Sequence, residues 1–555
     1  MKSLLYFFNY IYSNGFPHQW HEAIIIPILK PGKISTAAAS YRPIALTNCI
    51  CKIFEKMANW RLQEFLEEKS FFDKFQSGFR SGHCTLDAHV RLESSIRESF
   101  ISGKFCVALF IDISKAFDSV WHNGLLEKVK SSEVRGNLGM FIYNFLQTRS
   151  IRVKISSTTS SSFPLHAGVP QGSVVSPTLF NIMINDLFSD LDTNISYSIY
   201  ADDGAAWTVA SNINEAVNRI QGVIEHVIQW SHKWGLDISD DKTKAVVFTK
   251  KRPSHIPPLT LNGVDIEYVN EFKFLGIIFD RHLTWTPHIS HIQSRCKRDL
   301  RLLSILANKR WGADFLSLRR FYIALVRSKI DYGSFLYSTA CKTNLRKIDS
   351  LQNSAARLAL GAHRCSNTRL LNIEAHLIPL HYRRNQLQSL YYCRALSVKD
   401  HPVYYLDSRL PYHLLSGLSV PPIAHRFSSE LEKLQIDFKN IRPTPMFWRY
   451  KTYETAVKKS LSMYEKYFFD DVRWNLMFKD LVDCNYQNYT QIYTDGSKTT
   501  NSVSSAVWSR SFEIKAKLLP LCSIFTAELY AILCAILYIS NMPISQVNLL
   551  SSLIL

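Results

Sequence analysis

The first apolar positions along the chain, Leu4, Leu5, Phe8, Ile11 and Tyr12, recur at helical spacing. They predict an amphipathic helix within residues 1–20, ending in the turn Asn14-Gly15. Ala23 to Leu29 then reads as a short strand stopped by Pro31-Gly32. Phe105 to Ile111 is an uninterrupted apolar run, the signature of a strand buried on both faces, and it gives way abruptly to Asp112. Ser176-Pro177 has the form of a helix start, with Ser at the N-cap and Pro in the first turn, and opens a helix to about Asp190. Ile195–Tyr200, the turn Ala201-Asp202-Asp203-Gly204, and Ala205–Val209 read as strand, tight turn and strand. Two acidic sites, Asp112 and Asp202-Asp203, therefore lie at strand ends.

Beyond Pro287 the pattern is helical to about residue 385, and residues 386–487 are rich in Tyr and His without a motif. Strands return at Ile492–Thr494, Val503–Trp508 and Ile514–Leu518, followed by a helix from about Phe525 to Ile539. Three or four structural units are expected from 555 residues.

Composition sharpens this picture in two places. The chain carries 65 Lys and Arg against 46 Asp and Glu, a net charge of +19. From Arg281 to Asn385 the count is 19 against 5, so most of the excess sits in that helical stretch. Such clustering fits a surface that tracks phosphates, although a basic face is also ordinary solvation. The eleven cysteines are scattered without C-x-x-C pairs, which points away from zinc knuckles and disulfide frameworks and fits a reducing compartment. The longest apolar run, Leu529 to Ile539, is too short to span a bilayer, and no membrane partner is expected.

Asp112 and Asp202-Asp203 can together hold divalent ions if their strands are neighbours, because two-metal phosphoryl transfer needs converging carboxylates. Taken alone, Asp-Asp is also common turn chemistry and Asp112 a plausible helix cap. The residues around them carry a resemblance. Phe110-Ile111-Asp112-Ile113-Ser114-Lys115-Ala116-Phe117-Asp118-Ser119-Val120-Trp121-His122 resembles the first palm motif of non-LTR retrotransposon reverse transcriptases. Gly168-Val169-Pro170-Gln171-Gly172-Ser173-Val174-Val175-Ser176-Pro177 resembles their second, and Tyr200-Ala201-Asp202-Asp203 their third, in the family's order. Lys30-Pro31-Gly32-Lys33 and Tyr41-Arg42-Pro43-Ile44 look like the fingers motifs, Gln76-Ser77-Gly78-Phe79-Arg80 like the segment before the palm, and Phe274-Leu275-Gly276 like the primer grip. Gly235-Leu236 with Lys242-Thr243-Lys244 resembles the motif between palm and grip, with Ser239 where the family commonly has Asn. Leu351–Arg357 and Gly361-Ala362 are similar to the segment after the polymerase in jockey-like elements.

The resemblance implies an α+β right-hand polymerase: fingers and palm over residues 1–280, a helical basic thumb over 281–385, a connecting region over 386–487, and a partial α/β RNase H-like unit over 488–555. It implies RNA-directed DNA synthesis with Mg²⁺, or Mn²⁺ in its place, on an RNA template with a DNA primer or target DNA and deoxynucleoside triphosphates. Asp112, Asp202 and Asp203 would be the metal carboxylates. Phe117 would crowd a ribose 2′-hydroxyl, or serve as a core aromatic, or both. Lys30 and Arg42 would grip the incoming triphosphate, where either alone reads as a surface charge. Gln171 would abut nucleotide and template, with Gly172 allowing close backbone approach. Lys242 would protonate the leaving pyrophosphate, although neighbouring Lys244 leaves a choice.

At the C-terminus, Tyr493-Thr494-Asp495-Gly496-Ser497 and Thr526-Ala527-Glu528-Leu529 look like the first two acidic motifs of RNase H. The third acid is expected after a strand at Gln546–Leu550, where Ser551-Ser552 stand instead, so RNase H activity is doubtful. The resemblance also leads one to expect an endonuclease and an earlier part of the fingers ahead of Met1, so the sequence reads as a truncated copy or a gene-model fragment of an element's second reading frame. A decayed, non-catalytic nucleic-acid binder is the alternative; a viral RNA-dependent RNA polymerase would carry neither Phe117 nor the RNase H-like tail.

Overall fold

The structure is a computed structural model that describes residues 2–253, 255–308, 310–406, 420–436, 490–499, 502–519, 522–540 and 549–553. The chain divides into two units, residues 1–449 and 450–555. Much of the expected connecting region, residues 407–419 and 437–487, lies outside the described residues.

The first unit is organised by an antiparallel sheet whose strands lie in the order Ile195–Tyr200, Asp203–Ala210, Phe105–Asp112, Lys244–Phe248. Phe105–Asp112 is central and apolar throughout because each face meets a core. Val107, Leu109 and Ile111 enter one cluster, with the helices Ser176–Ile184 and Ile213–Trp234. Cys106, Ala108 and Phe110 enter a second cluster, with the helix Thr85–Ile101 and the helices beyond residue 286. The alternation follows from the strand's period of two. Phe110 stacks on Phe272 at 4.3 Å between ring centroids, a pairing worth about 0.5–1.5 kcal/mol beyond its burial. The helix Ile213–Trp234 starts on Asn212, whose side chain accepts from Asn214 N–H, and ends on Gly235 at φ +68°. Gly suits that left-handed C-terminal position.

Ahead of the palm sheet, Glu22–Leu29 pairs antiparallel with Tyr41–Leu46 and parallel with Ser150–Ile155. The first helix is Lys2–Asn14, stopping at the expected Asn-Gly turn. The helix expected from Ser176 to about Asp190 differs from the reading at both ends. Val175 is its N-cap residue, and it ends at Ile184. Asn185 breaks it by binding backbone elsewhere, accepting from Asp73 N–H and donating to Phe71 O, both at 2.8 Å.

The basic stretch is helical as expected. Thr286–Leu306, with Pro287 in its first turn, packs on Lys342–Leu360, which ends at Gly361. Arg295 and Arg298 are exposed. Arg327 is buried, donating to Gln352 Oε1 (2.7 Å) and Asp331 Oδ1 (3.0 Å), and Arg319 donates to the carbonyls of Ala375 and His376. Those two arginines hold the helices together.

The helix Leu380–Leu396 runs through residue 385, where a domain boundary was expected. It and the helix Ile423–Lys433 pack around Thr85–Ile101 because that helix buries two carboxyls. Glu93 is fully buried and pairs with Arg97 and Arg426, and Asp87 accepts from Tyr391 OH at 2.9 Å.

In the second unit, Thr490–Lys498, Val503–Ser509 and Glu513–Leu518 form an antiparallel meander, and Leu549–Leu553 adds parallel to the first strand. The helix Ile524–Ser540 packs on Thr490–Lys498. The last strand lies later than expected, so Ser551 and Ser552 fall inside it, opposite Ile492 and Tyr493. Among the described residues no helix is long and apolar enough to cross a membrane.

Candidate active site

Asp112 closes the central palm strand, and the antiparallel register places it directly opposite Asp203. Tyr200 also pairs with Asp203, so the turn between the strands is only Ala201-Asp202, with Ala201 at φ +55°. That is tighter than the four-residue turn read from sequence, and it sets Asp202 at the tip. Gly78 supports the tip from below: a Cβ there would come within 2.4 Å of Ala201 N. Asn181 holds Gly78 in place through its carbonyl at 2.6 Å. Arg80, in the same quoted segment, is used structurally in an ion pair with Glu67.

Burial and mutual repulsion of the three carboxyls outweigh the nearby cations. Burial pushes Asp203 up to about 6, and the charges of Asp202 and Asp112 add to the effect against Lys242. Asp202 is also raised, by burial and Asp112, with Lys242 and Arg42 opposing. A carboxylate cluster of this kind is electrostatically eased by cations. Lys242 Nζ donates to Asp112 Oδ2 at 2.8 Å, whereas Lys244, the first residue of the edge strand, pairs with Glu267. Geometry thus separates two lysines that spacing left equivalent.

The second motif is held between palm and fingers. Gly168 N–H donates to Val120 O, and Val169 N–H to Phe117 O. Gly168, at φ +86°, would drive a Cβ to 2.6 Å from Asp118 O. Ala45 N–H in the fingers donates to Gln171 O at 2.7 Å, and Gly172, at φ +129°, lies against Ala45 O where a Cβ would be at 2.6 Å. Only Gly meets both the angle and the approach. The Gln171 side chain donates to Asp118 Oδ1 at 2.8 Å. Asp118 is raised by burial, with Gln171, Lys115 and Lys30 opposing, which brings Lys30 of the fingers into the electrostatics of the same site. Lys30 itself donates to Ala39 O at 3.0 Å, and Arg42 is exposed on the neighbouring finger strand. Phe117 is half-buried and stacks on Phe180 at 4.7 Å, so it belongs to the core while keeping an accessible edge.

Two contributors escaped the sequence reading. Asp118 lies inside the quoted first motif, yet its bond to Gln171 joins segments 53 residues apart. Glu55 is fully buried on the finger helix Cys49–Glu68, and its Oε2 accepts from Ser173 Oγ (2.6 Å) and Val174 N–H (2.7 Å). Glu55 falls among Cys51, Phe54, Ala58 and Leu62 on the helix's buried face, and a charge at a core position is the signal that could have found it.

In the second unit, Asp495 is on the strand Thr490–Lys498 and Glu528 on the helix against it. Gly496 is so close to that helix that a Cβ would lie 2.8 Å from Glu528 Cγ. The helix bearing Glu528 thus packs on the strand bearing Asp495, but Gly496 is the position that faces the helix, and the exposed Asp495 beside it alternates to the other face of the sheet.

The reverse transcriptase (RNA-dependent DNA polymerase) family matches residues 28–279. The chain is 33% identical over 369 residues to the RNA-directed DNA polymerase from mobile element jockey of Drosophila melanogaster, covering 65% of this chain and 40% of that protein. It is 34% identical over 349 residues to the probable RNA-directed DNA polymerase from transposon BS of the same species, covering 62% and 38%. For the corresponding protein from transposon X-element the identity is 31% over 382 residues, covering 68% and 42%. The chain spans about two fifths of the length of these relatives. Among solved structures, apo telomerase from Candida tropicalis aligns over 70% of each chain at 13% identity and a TM-score of 0.36, too loose to add to what the sheet shows. Residues 28–279 thus match the reverse transcriptase family, and the chain is similar over about two thirds of its length to the polymerases of jockey, BS and X-element transposons.

Proposed function

We propose that the chain is an RNA-directed DNA polymerase that extends a DNA primer on an RNA template. The observation that carries this reading is the register opposition of Asp112 and Asp203 with Asp202 at the adjoining turn, three carboxyls whose mutual repulsion calls for cations. The donor set, all carboxylate oxygens, suits Mg²⁺ or Mn²⁺. Ions held by Asp112, Asp202 and Asp203 would supply activation of the primer hydroxyl and charge neutralisation at the α-phosphate and leaving pyrophosphate.

The chain's own residues then divide the remaining work. Arg42, on the strand Tyr41–Leu46 and felt by Asp202, and Lys30, just after the strand Glu22–Leu29 and felt by Asp118, bind the triphosphate of the deoxynucleotide. Gln171 and Gly172 form a backbone shelf, fixed to Ala45, against which nucleotide and template lie. Phe117 takes up the space a 2′-hydroxyl would need. Lys242 gives a proton to the departing pyrophosphate, a choice supported by its contact with Asp112, which Lys244 does not make. The exposed arginines of the thumb, Arg295 and Arg298 among them, hold the duplex by its phosphates.

For the second unit we propose an RNase H-like fold. An antiparallel meander, a helix, and then a strand parallel to the first support it, as does the closeness of Glu528 to the strand bearing Asp495. Two acids anchor at best one ion, so cleavage of a hybrid is left out of the proposal.

Primer extension by the purified chain on poly(A) RNA with an oligo(dT) primer tests the polymerase reading. Template-dependent incorporation of deoxythymidine with Mg²⁺ or Mn²⁺ is expected. Binding to the hybrid without extension under either ion would leave nucleic-acid binding as the activity.

A further inference from the structure

The tightest group of potential metal ligands among the described residues lies outside the palm carboxylates. His83, Asp87 and His401 each offer a ligand atom within 4.8 Å of the others, and all three are buried. His83 precedes the helix Thr85–Ile101, Asp87 is in its first turn, and His401 follows the helix Leu380–Leu396, more than 300 residues away. The imidazole rings stack at 4.9 Å and 12°. His83 Nδ1 stands 3.6 Å and His401 Nε2 3.4 Å from the same oxygen, Asp87 Oδ2.

Those spacings fit coordination better than hydrogen bonding. With metal–nitrogen bonds of about 2.0–2.1 Å, the ligand atoms of a tetrahedral zinc site stand roughly 3.3 Å apart along each edge. At 3.6 Å the His83 contact is too long for a hydrogen bond, and His83 Nδ1 is buried without a hydrogen-bond partner. A buried polar nitrogen in that condition costs about 1–3 kcal/mol unless something satisfies it. The carboxyl is already oriented, accepting from Tyr391 OH at 2.9 Å and from Cys84 N–H at 2.7 Å, the outer contacts that fix a metal-binding carboxylate. A cavity of about 320 Å³, lined by Cys84, Asp87, Tyr391 and His401 among others, reaches the group and gives an ion a way in. The competing arrangement is a hydrogen-bonded hub. His401 Nδ1 accepts from Val403 N–H at 3.2 Å, which would leave a proton on Nε2 directed at Asp87.

We propose that His83, Asp87 and His401 form a structural Zn²⁺ site, separate from the palm carboxylates, that pins the segment after the helix Leu380–Leu396 to the start of the helix Thr85–Ile101. Two imidazoles and one carboxylate are a donor set zinc accepts, with a water admitted through the adjoining cavity as the fourth tetrahedral ligand, and burial suits an ion that holds segments together.

The test is metal analysis of the full chain, purified without chelator and without a polyhistidine tag, after addition of Zn²⁺ and gel filtration. One zinc per chain is expected in the parent and in Asp202→Asn, and a small fraction of that in His83→Gln and His401→Gln. Chelation should lower the melting temperature of the parent and leave that of His83→Gln unchanged. If the histidine variants do not fold, Co²⁺ loaded into the parent reads the site instead, through the intense visible bands of a tetrahedral ligand field. A zinc-free parent, full zinc retention in both histidine variants, or a Co²⁺ spectrum with only weak octahedral bands would overturn the proposal; the first would establish the hub.

Discussion

Replacing Glu55 by Ala should damage the loop that bears Gln171 and Gly172 although neither residue is touched. Glu55 Oε2 receives Ser173 Oγ at 2.6 Å and Val174 N–H at 2.7 Å, and Cys51 Sγ approaches Oε1 at 3.3 Å. Arg149, buried nearby, also feels the Glu55 charge. Removing the carboxyl leaves two strong donors, the weak Cys51 thiol donor and a guanidinium in a dry site. Each stranded donor costs about 1–3 kcal/mol, and with the guanidinium a total of about 3–5 kcal/mol is expected, the terms not being additive. Glu55→Gln keeps the shape and one acceptor oxygen, so its cost should be about 1–2 kcal/mol. Urea unfolding followed by tryptophan fluorescence reads both as shifts of midpoint at unchanged slope. At a temperature where Glu55→Ala remains folded, primer extension should fall more than hybrid binding, because the loosened loop no longer rests on Ala45. A loss below about 1 kcal/mol for Glu55→Ala would refute the reasoning, since that is within the range of an exposed side chain.

Phe117→Ala should admit ribonucleotides and lose about 3–5 kcal/mol of stability through its contact with Phe180, the lower end applying because the ring is half-exposed; unchanged sugar discrimination in extension assays would place the gate elsewhere. Arg295→Ala and Arg298→Ala should each flatten the salt dependence of hybrid binding by up to about 0.9 in log–log slope, whereas Arg327→Ala should lower the unfolding midpoint and leave that slope alone; a reversed pattern in binding titrations would contradict the burial of Arg327. His89 is fully buried, and burial lowers it to about 4 against the pull of its bond to Phe274 O. The unfolded state therefore binds the extra proton first, so stability is complete above about 6.5 and falls by about 3 kcal/mol as pH drops to about 4. His89→Gln should remove that part of the pH dependence in urea midpoints, and an unchanged profile would count against it.

The elements most legible in the sequence were those whose pattern is local. Phe105–Ile111 announced a doubly buried strand because both of its faces meet a core, and the Asp-Asp hairpin announced itself through turn residues between two strands. What stayed hidden depended on partners remote in the chain. Nothing near residue 185 says that Asn185 will bind the backbone at residues 71 and 73 and end its helix. Arg327 reads as one more cation in a basic stretch until Gln352 and Asp331 close over it. Lys242 and Lys244 differ by two positions, and only the register of the edge strand decides which one reaches Asp112. The expected boundary at residue 385 passed through a helix because the need for it, the buried Glu93 and Asp87 of Thr85–Ile101, lies some 290 residues earlier.

The central claim, that Asp112, Asp202 and Asp203 make this chain a polymerase, is tested most directly by Asp202→Asn. The change removes one ligand charge and almost no volume, at the tip of a turn held by Gly78, so the fold and hybrid affinity should persist. Extension of oligo(dT) on poly(A) RNA should fall by at least about a thousandfold, the loss expected when an interaction made at the transition state is removed. Extension at the parent's rate by a folded Asp202→Asn chain would contradict the account.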